Sequence, residues 1–353
     1  MSFSYVYCGG WSNFRGEIAN FKGEVRGLKC LKWDAETGVL TEHGVYGEQL
    51  LGQSILAVAG DVLTAVCELG KGGKVVSYRI KPDGSLEMAD ILEFSSAKLS
   101  YCVASPNGKY VFVSSMGDGT VKMIRIGEDA KLTLTDEFQL TGHSLAPRQS
   151  QAKVHSVMIS PDGKFLGAAN LGADELEIFR VDYEKEILRL ACSKPVDWGK
   201  EPRHMAFHPS GRYLYLLTES GNRIYDYRIT EEGRLQELAV YTTLDPDGPV
   251  VGAAADIVVS KDGRFVYSSN RGQSNVAVWR ILDNGLLDSV AFVPCGGKGP
   301  RGLIVSPDGK HLLCANNDDG TVTVLPLDLQ TGIPGAPTAS AQAPCAACVR
   351  VRQ

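Results

Sequence analysis

The chain has 353 residues, 36 basic against 41 acidic side chains, a formal net charge of -5, 44% hydrophobic and 22% charged content. That share of apolar residues supports a folded core and argues against disorder, and an acidic balance without a basic stripe argues against a nucleic-acid partner. No window reaches the ~18 consecutive apolar residues of a membrane span, and residues 1–10 hold no basic stretch followed by an apolar core, so a cytoplasmic protein without a membrane partner is expected.

From the N-terminus, short alternating apolar runs bounded by turn residues predict strands. Residues 25–31, the turn Asp34-Ala-Glu-Thr-Gly38 and residues 40–46 supply the outer half of one unit. Residues 55–67 and 75–80, the turn Lys81-Pro-Asp-Gly84 and residues 86–94 supply a second. A turn signature then recurs five times, at intervals of 46 to 55 residues: Ser105-Pro-Asn-Gly-Lys109, Ser160-Pro-Asp-Gly-Lys164, His208-Pro-Ser-Gly-Arg212, Ser260-Lys-Asp-Gly-Arg264 and Ser306-Pro-Asp-Gly-Lys310. Each places a glycine where a tight turn requires positive φ, and each is flanked by apolar runs, with two further runs following. Residues 183–190 lack Gly and Pro and invite a helix, but the repeat phase makes them part of an outer strand.

Four antiparallel strands at a period near 50 residues are the sequence form of a propeller blade. Seven such units predict an all-β, seven-bladed β-propeller of four-stranded antiparallel blades in a single domain over residues 1–353. The run Cys348-Val-Arg-Val351, after the Pro- and Ala-rich residues 333–344, is the strand expected to complete the N-terminal blade and close the ring, which removes exposed sheet edges.

Strand arithmetic then places polar residues at one mouth of the channel. Arg203 and Glu219 lie eight residues either side of Gly211, so they are expected to be cross-strand neighbours. The same reasoning puts His155 near Asn170, Asp256 near Arg271 and Arg301 near Asn316. His155, Arg203, Glu219 and Arg271 are the candidate catalytic residues; Asp256, Arg301, Asn170, Asn316 and His204 are the candidate substrate contacts. Taken singly, Arg203 with Glu219 is an ordinary ion pair and His155 a channel histidine. Their convergence at one rim suits an anionic or carbonyl-bearing small molecule.

Other motifs carry less. His204 and His208 stand about 13 Å apart if both lie on a strand, too far for one metal ion. Gly70-Lys-Gly-Gly-Lys74 lacks P-loop spacing, and no Gly-x-Ser-x-Gly elbow occurs. Nine scattered cysteines are expected to be reduced thiols packed as small hydrophobes, Cys345-Ala-Ala-Cys348 included. No metal and no cofactor are expected.

The segments Val154-His155-Ser156, Pro202-Arg203-His204-Met-Ala-Phe-His208-Pro209, Ala254-Ala-Asp256-Ile and Ser269-Asn-Arg271-Gly272 together resemble the seven-bladed propeller lactonase family. That family includes propeller-type 6-phosphogluconolactonase and the fungal 3-carboxy-cis,cis-muconate lactonizing enzyme. The resemblance covers nearly the whole chain and implies active-site roles for His155, Arg203, Glu219 and Arg271. Thr218-Glu219, Asn170-Leu-Gly172 and Gln273 depart from the family pattern, which bears on substrate identity. The implied activity is hydrolysis of a sugar-acid lactone, phosphorylated or not. Glu219, kept ionised by an arginine, is expected to be the better base and His155 the acid. Alternatives are a muconate cycloisomerase using the same residues and a non-enzymatic binding propeller. The expected partner is a small anionic lactone or carboxylate, and the expected state a monomer or weak homo-oligomer.

Overall fold

The computed structural model describes residues 3–18, 21–70, 72–95 and 98–352. Seven four-stranded antiparallel sheets follow one another around a central channel. In blades 2 to 7 the strands run from the channel outward in chain order, beginning with Gln53–Ala59, Leu99–Ala104, Val154–Ile159, Pro202–Phe207, Ala254–Val259 and Pro300–Val305. Blade 1 is built from both ends of the chain. Its inner strand is Ala346–Arg352, paired antiparallel to Phe3–Gly10, which is followed outward by Arg26–Asp34 and Val39–Leu51.

The closing strand is therefore where the sequence placed it. Residues 183–186 form a turn, and the segment that invited a helix continues as the outer strand Ile187–Pro195. The fourth strand of blade 7 is the short Ala339–Gln342, inside the Pro- and Ala-rich stretch. A small hairpin, Asn13–Ile18 with Phe21–Gly23, is an insertion that the repeat gave no reason to expect. Pro147–Gln149 is the one helical turn among the described residues.

The recurrent signature forms the turn between the first two strands of a blade. In blade 4 the Ser160 hydroxyl accepts from Phe165 N at 2.9 Å and donates to Asp162 Oδ1 at 2.7 Å, while Gly163 takes φ +74°. Blades pack face to face through alternating apolar residues. Val6, Leu31 and Trp33 of blade 1, for example, share a core with Leu313, Val322 and Val324 of blade 7. Tyrosines add polar staples between neighbours: Tyr7 Oη donates to Gly84 O at 2.9 Å, Tyr215 Oη to Gly285 O at 2.9 Å and Tyr267 Oη to Gly332 O at 3.0 Å.

One register detail positions the site. The first inner pair of each blade is Gln53 with Cys67, Leu99 with Ser115, Val154 with Asn170, Pro202 with Thr218, Ala254 with Asn270, Pro300 with Asn316, and Ala346 with Gly10. Directly after that pair the inner strand slips register in every blade. Such a bulge re-aims a side chain at a sheet edge or rim.

Candidate active site

The bulge falls on Ser54, Ser100, His155, Arg203, Arg301 and Ala347, and within Ala255-Asp256 in blade 6; the first six line a cavity of about 540 Å³ at the channel mouth. A second ring comes from the residue just past the end of each adjacent strand: Trp11, Glu68, Met116, Leu171, Glu219, Arg271 and Asn317, every one of which lines the same cavity. The backbone explains the second ring. The N–H groups of Trp11, Glu68, Met116, Glu219, Arg271 and Asn317 donate to the carbonyls of Cys345, Gly52, Lys98, Glu201, Ala253 and Gly299 at 2.8 to 3.1 Å. All six accepting residues have positive φ. In six of the seven blades, all but blade 4, a left-handed residue thus ends the incoming loop and clamps the rim residue in place.

Glu219 is the centre of the charge arrangement. Its Oε2 accepts from Arg203 Nε at 2.9 Å, and its Oε1 lies 3.2 Å from Arg271 Nη2 and 3.5 Å from Arg148 Nη2. Burial alone raises its pKa, but Arg271 and Arg203 outweigh that and hold the carboxyl well below the usual range, so it is ionised. His155 Nε2 lies 4.0 Å from Glu219 Oε2. Burial, reinforced by Arg203 and His204, pushes this imidazole well below 6.5 and keeps it neutral.

Arg203 is fully buried and held from behind. Its Nη1 lies 2.9 Å from His204 Nε2 and also donates to the Ala255 carbonyl. His204 Nδ1 is 2.7 Å from Asp256 Oδ1, and Asp256 Oδ2 accepts from Leu303 N at 2.7 Å. Burial and Arg203 lower His204 to about 4, while His204 and the backbone donors help keep Asp256 ionised despite its burial. A neutral His204 therefore donates from Nδ1 to Asp256 and accepts at Nε2 from Arg203.

The predicted pairings separate on this geometry. Arg203 and Glu219 meet as expected. Asp256 does not contact Arg271 and does not line the cavity; it is buried against His204. Arg271 instead donates from Nε to Ala253 O at 3.1 Å and faces Glu219. Asn170 and Asn316 are the last paired residues of their strands and do not line the cavity. Asn170 bonds Lys153 N, Thr141 O and Glu177 Oε1 at 3.0 to 3.3 Å, and Asn316 bonds Thr321 and Thr323 at 3.2 and 3.1 Å. Arg301 lines the cavity with its guanidinium carbon 5.4 Å from the Trp11 ring centroid.

Glu68, Arg148, Lys98, Trp11 and Asp318 also line the cavity and were not singled out from the sequence. Counting every ionisable lining group except the histidines gives five cationic side chains against three carboxyls, a balance that favours an anionic ligand. Among the described residues no group of three or more His, Cys, Asp or Glu is placed to hold a metal ion. All nine cysteines are free thiols; burial pushes Cys345 up to about 11 and raises Cys348 as well. On the loops at this mouth, Leu145, Trp198 and Val250 are exposed.

Comparison with known proteins agrees with this architecture. The model of a family described as Lactonase, 7-bladed beta-propeller, matches residues 7–351. The chain is 28% identical over 298 residues to a 6-phosphogluconolactonase of Formosa agariphila, spanning 81% of this chain and 84% of the relative. It is 29% identical over 320 residues to a protein of Staphylococcus saprophyticus, spanning 88% and 91%. A solved structure of a periplasmic gluconolactonase from Pseudomonas aeruginosa matches with a TM-score of 0.86 at 26% identity, over 100% of this chain and 99% of that one. A Lactobacillus plantarum protein gives 0.90 at 23% identity over the full length of both, a likeness of fold.

Proposed function

The chain belongs to the seven-bladed β-propeller lactonase family, and on that premise we propose that it hydrolyses a sugar-acid lactone, phosphorylated or not, at this channel mouth without a metal ion. The observation that carries this reading is an ionised Glu219 clamped by Arg203 and Arg271 beside a neutral His155. Such a site is organised before substrate arrives, which is where electrostatic catalysis gains most.

Arg203 spends Nε and Nη1 inside the protein and keeps Nη2 for substrate, and Arg271 faces the cavity beside it. These two guanidinium groups hold the lactone carbonyl and stabilise the oxyanion that forms when water adds. His155, neutral at rest, takes the proton from that water at Nε2, and the imidazolium so formed is stabilised by Glu219. The acid and base roles thus exchange relative to the sequence expectation. Three cations close around Glu219 make it a weak base, and the one N–H of a neutral imidazole is too weakly acidic to protonate a leaving alkoxide. The excess of cationic groups suits a carboxylate or phosphate on the substrate, and nine free thiols suit a reducing, cytoplasmic setting.

The test is pH-stat hydrolysis by chelator-treated protein of gluconolactone, 6-phosphogluconolactone and a muconolactone, with spontaneous opening subtracted. Turnover that Arg271→Ala lowers by roughly 10²- to 10³-fold supports the assignment. Turnover unchanged in that variant, or none on any lactone, removes it.

A further inference from the structure

Neutral His155 and ionised Glu219 leave the reaction without a resting proton donor for the leaving ring oxygen. Glu68 is the third carboxyl-bearing position to consider in the cavity besides Glu219 and Asp318, and it occupies the repeat position of Glu219, one residue past the strand Val62–Cys67. Blades 2 and 5 are three steps apart, the largest separation a seven-membered ring allows. Glu68 and Glu219 therefore face one cavity from opposite sides, with room for a ligand between them.

We propose that Glu68 is the general acid that protonates the departing ring oxygen, on the opposite side of the substrate from Arg203, Arg271 and His155. This rests on the hydrolase assignment above. Water adds to the carbonyl carbon and its proton passes to His155 Nε2. The bond from that carbon to the ring oxygen then breaks, and the oxygen takes the proton of the Glu68 carboxyl. His155 releases a proton to solvent and Glu68 regains one, so the balance is lactone plus water to hydroxy acid.

The surroundings of the two carboxyls differ in the required sense. Among the described residues no arginine is bonded to Glu68. Burial raises its pKa, and the opposing pull of Arg301 from blade 7, Lys98 from the loop before blade 3 and Arg203 from blade 5 does not cancel that rise. Glu219, with arginines at bonding distance, is held down. Two carboxyls pushed apart in this way take different duties: the raised one keeps a proton to give, and the lowered one stays charged beside the base His155.

A leaving alkoxide needs a proton, whereas a leaving phenoxide does not. Wild type, Glu68→Gln and Glu68→Asp are therefore compared on an alkyl lactone (gluconolactone) and on an aryl lactone (dihydrocoumarin), with thermal melting as the check on folding. The expected result is that Glu68→Gln lowers kcat on the alkyl lactone roughly 10²-fold or more but on the aryl lactone less than about threefold, while Glu68→Asp recovers part of the loss. The alkaline decline of kcat/KM on the alkyl lactone disappears in Glu68→Gln. Equal losses on both substrates, or no loss on either, with an active wild type, overturn the role of Glu68 alone. Where gluconolactone is not turned over, 6-phosphogluconolactone or the muconolactone serves as the alkyl lactone, and a wild type inactive on all of these and on the aryl lactone overturns the hydrolase assignment and this role with it.

Discussion

His204 Nδ1 lies 2.7 Å from Asp256 Oδ1, and its other ring nitrogen lies 2.9 Å from Arg203 Nη1. Asp256 thereby sets the tautomer of His204, and His204 in turn fixes the guanidinium that bonds Glu219. The chain of contacts spans blades 5 and 6 and ends on Leu303 N of blade 7, so it ties the orientation of Arg203 to the packing of three blades.

Asp256→Asn tests this chain. An amide in place of the carboxylate weakens the hold on His204 Nδ1–H and permits the opposite tautomer, which then points a proton at the arginine. A lost hydrogen bond to a charged group is worth about 1.5–3 kcal/mol, so kcat should fall about 10- to 100-fold with KM changed much less. Asp256→Glu should not rescue it, because Asp256 is buried with each carboxylate oxygen already bonded, to His204 and to Leu303 N, and a longer side chain misplaces both. Unaltered kcat in Asp256→Asn would mean that Arg203 is held by Glu219 and the Ala255 carbonyl alone.

The pH dependence of activity follows from His155. A base must be unprotonated, and burial with Arg203 and His204 keeps this imidazole neutral well below 6.5. Hydrolysis should therefore stay level as pH drops through 6.5 and decline only at distinctly lower pH. Glu219→Gln removes the carboxylate that pulls the His155 value upward, so it should lower kcat without moving the acid limb to higher pH. A wild-type limb at 6.5 or above in a kcat/KM profile would exclude His155 as the base.

The ring, its closure and five of the cavity-lining residues were legible from the repeat, and the errors have one cause. The bulge and the rim residue lie eight positions either side of the turn glycine in blades 3 to 7, as Arg203 and Glu219 do about Gly211. Counting seven instead of eight chose Asn170 over Leu171, Asn316 over Asn317 and Asp256 over Ala255. Side chains alternate faces along a strand, so one position turns a cavity residue into one buried between strands. Glu68 escaped notice because blade 2 lacks the signature turn and has Ala59-Gly60-Asp61 there instead. Arg148 and Lys98 lie on connecting loops whose course no periodicity encodes.

Asn170→Ala separates the two kinds of position. Its amide satisfies Lys153 N, Thr141 O and Glu177 Oε1, and leaving buried partners unpaired costs about 1–3 kcal/mol. Melting should drop by about 3 °C or more while kcat/KM of the folded protein changes less than about threefold. Met116→Ala, on the rim ring, should do the reverse, shifting KM with little change in melting. An Asn170→Ala protein that melts like wild type but loses activity would restore Asn170 to the substrate site.

Stability at mildly alkaline pH should be limited by two carboxyls outside the site. Glu177 and Asp226 sit on the third strands of blades 4 and 5, and burial raises them to about 8 and about 7. Among the described residues neither Asp226 oxygen has a hydrogen-bond partner, and Glu177 has one in Asn170. Both values lie above those of the unfolded chain, so the folded state binds more protons between about pH 4 and 8. Stability from these groups is complete below the unfolded carboxyl range and is lost as pH rises through 7 to 8. Asp226→Asn removes the ionisation but not the polarity, so it should raise the melting temperature at pH 8 relative to wild type by about 2 °C or more and bring little gain at pH 5. His155 and His204 act in the opposite sense. Their folded values lie below that of unfolded histidine, so their contribution is lost as pH falls below 6.5. The melting temperature should therefore peak between these two declines, and a curve that keeps rising from pH 6 to pH 9 would contradict the buried, proton-binding state of Glu177 and Asp226.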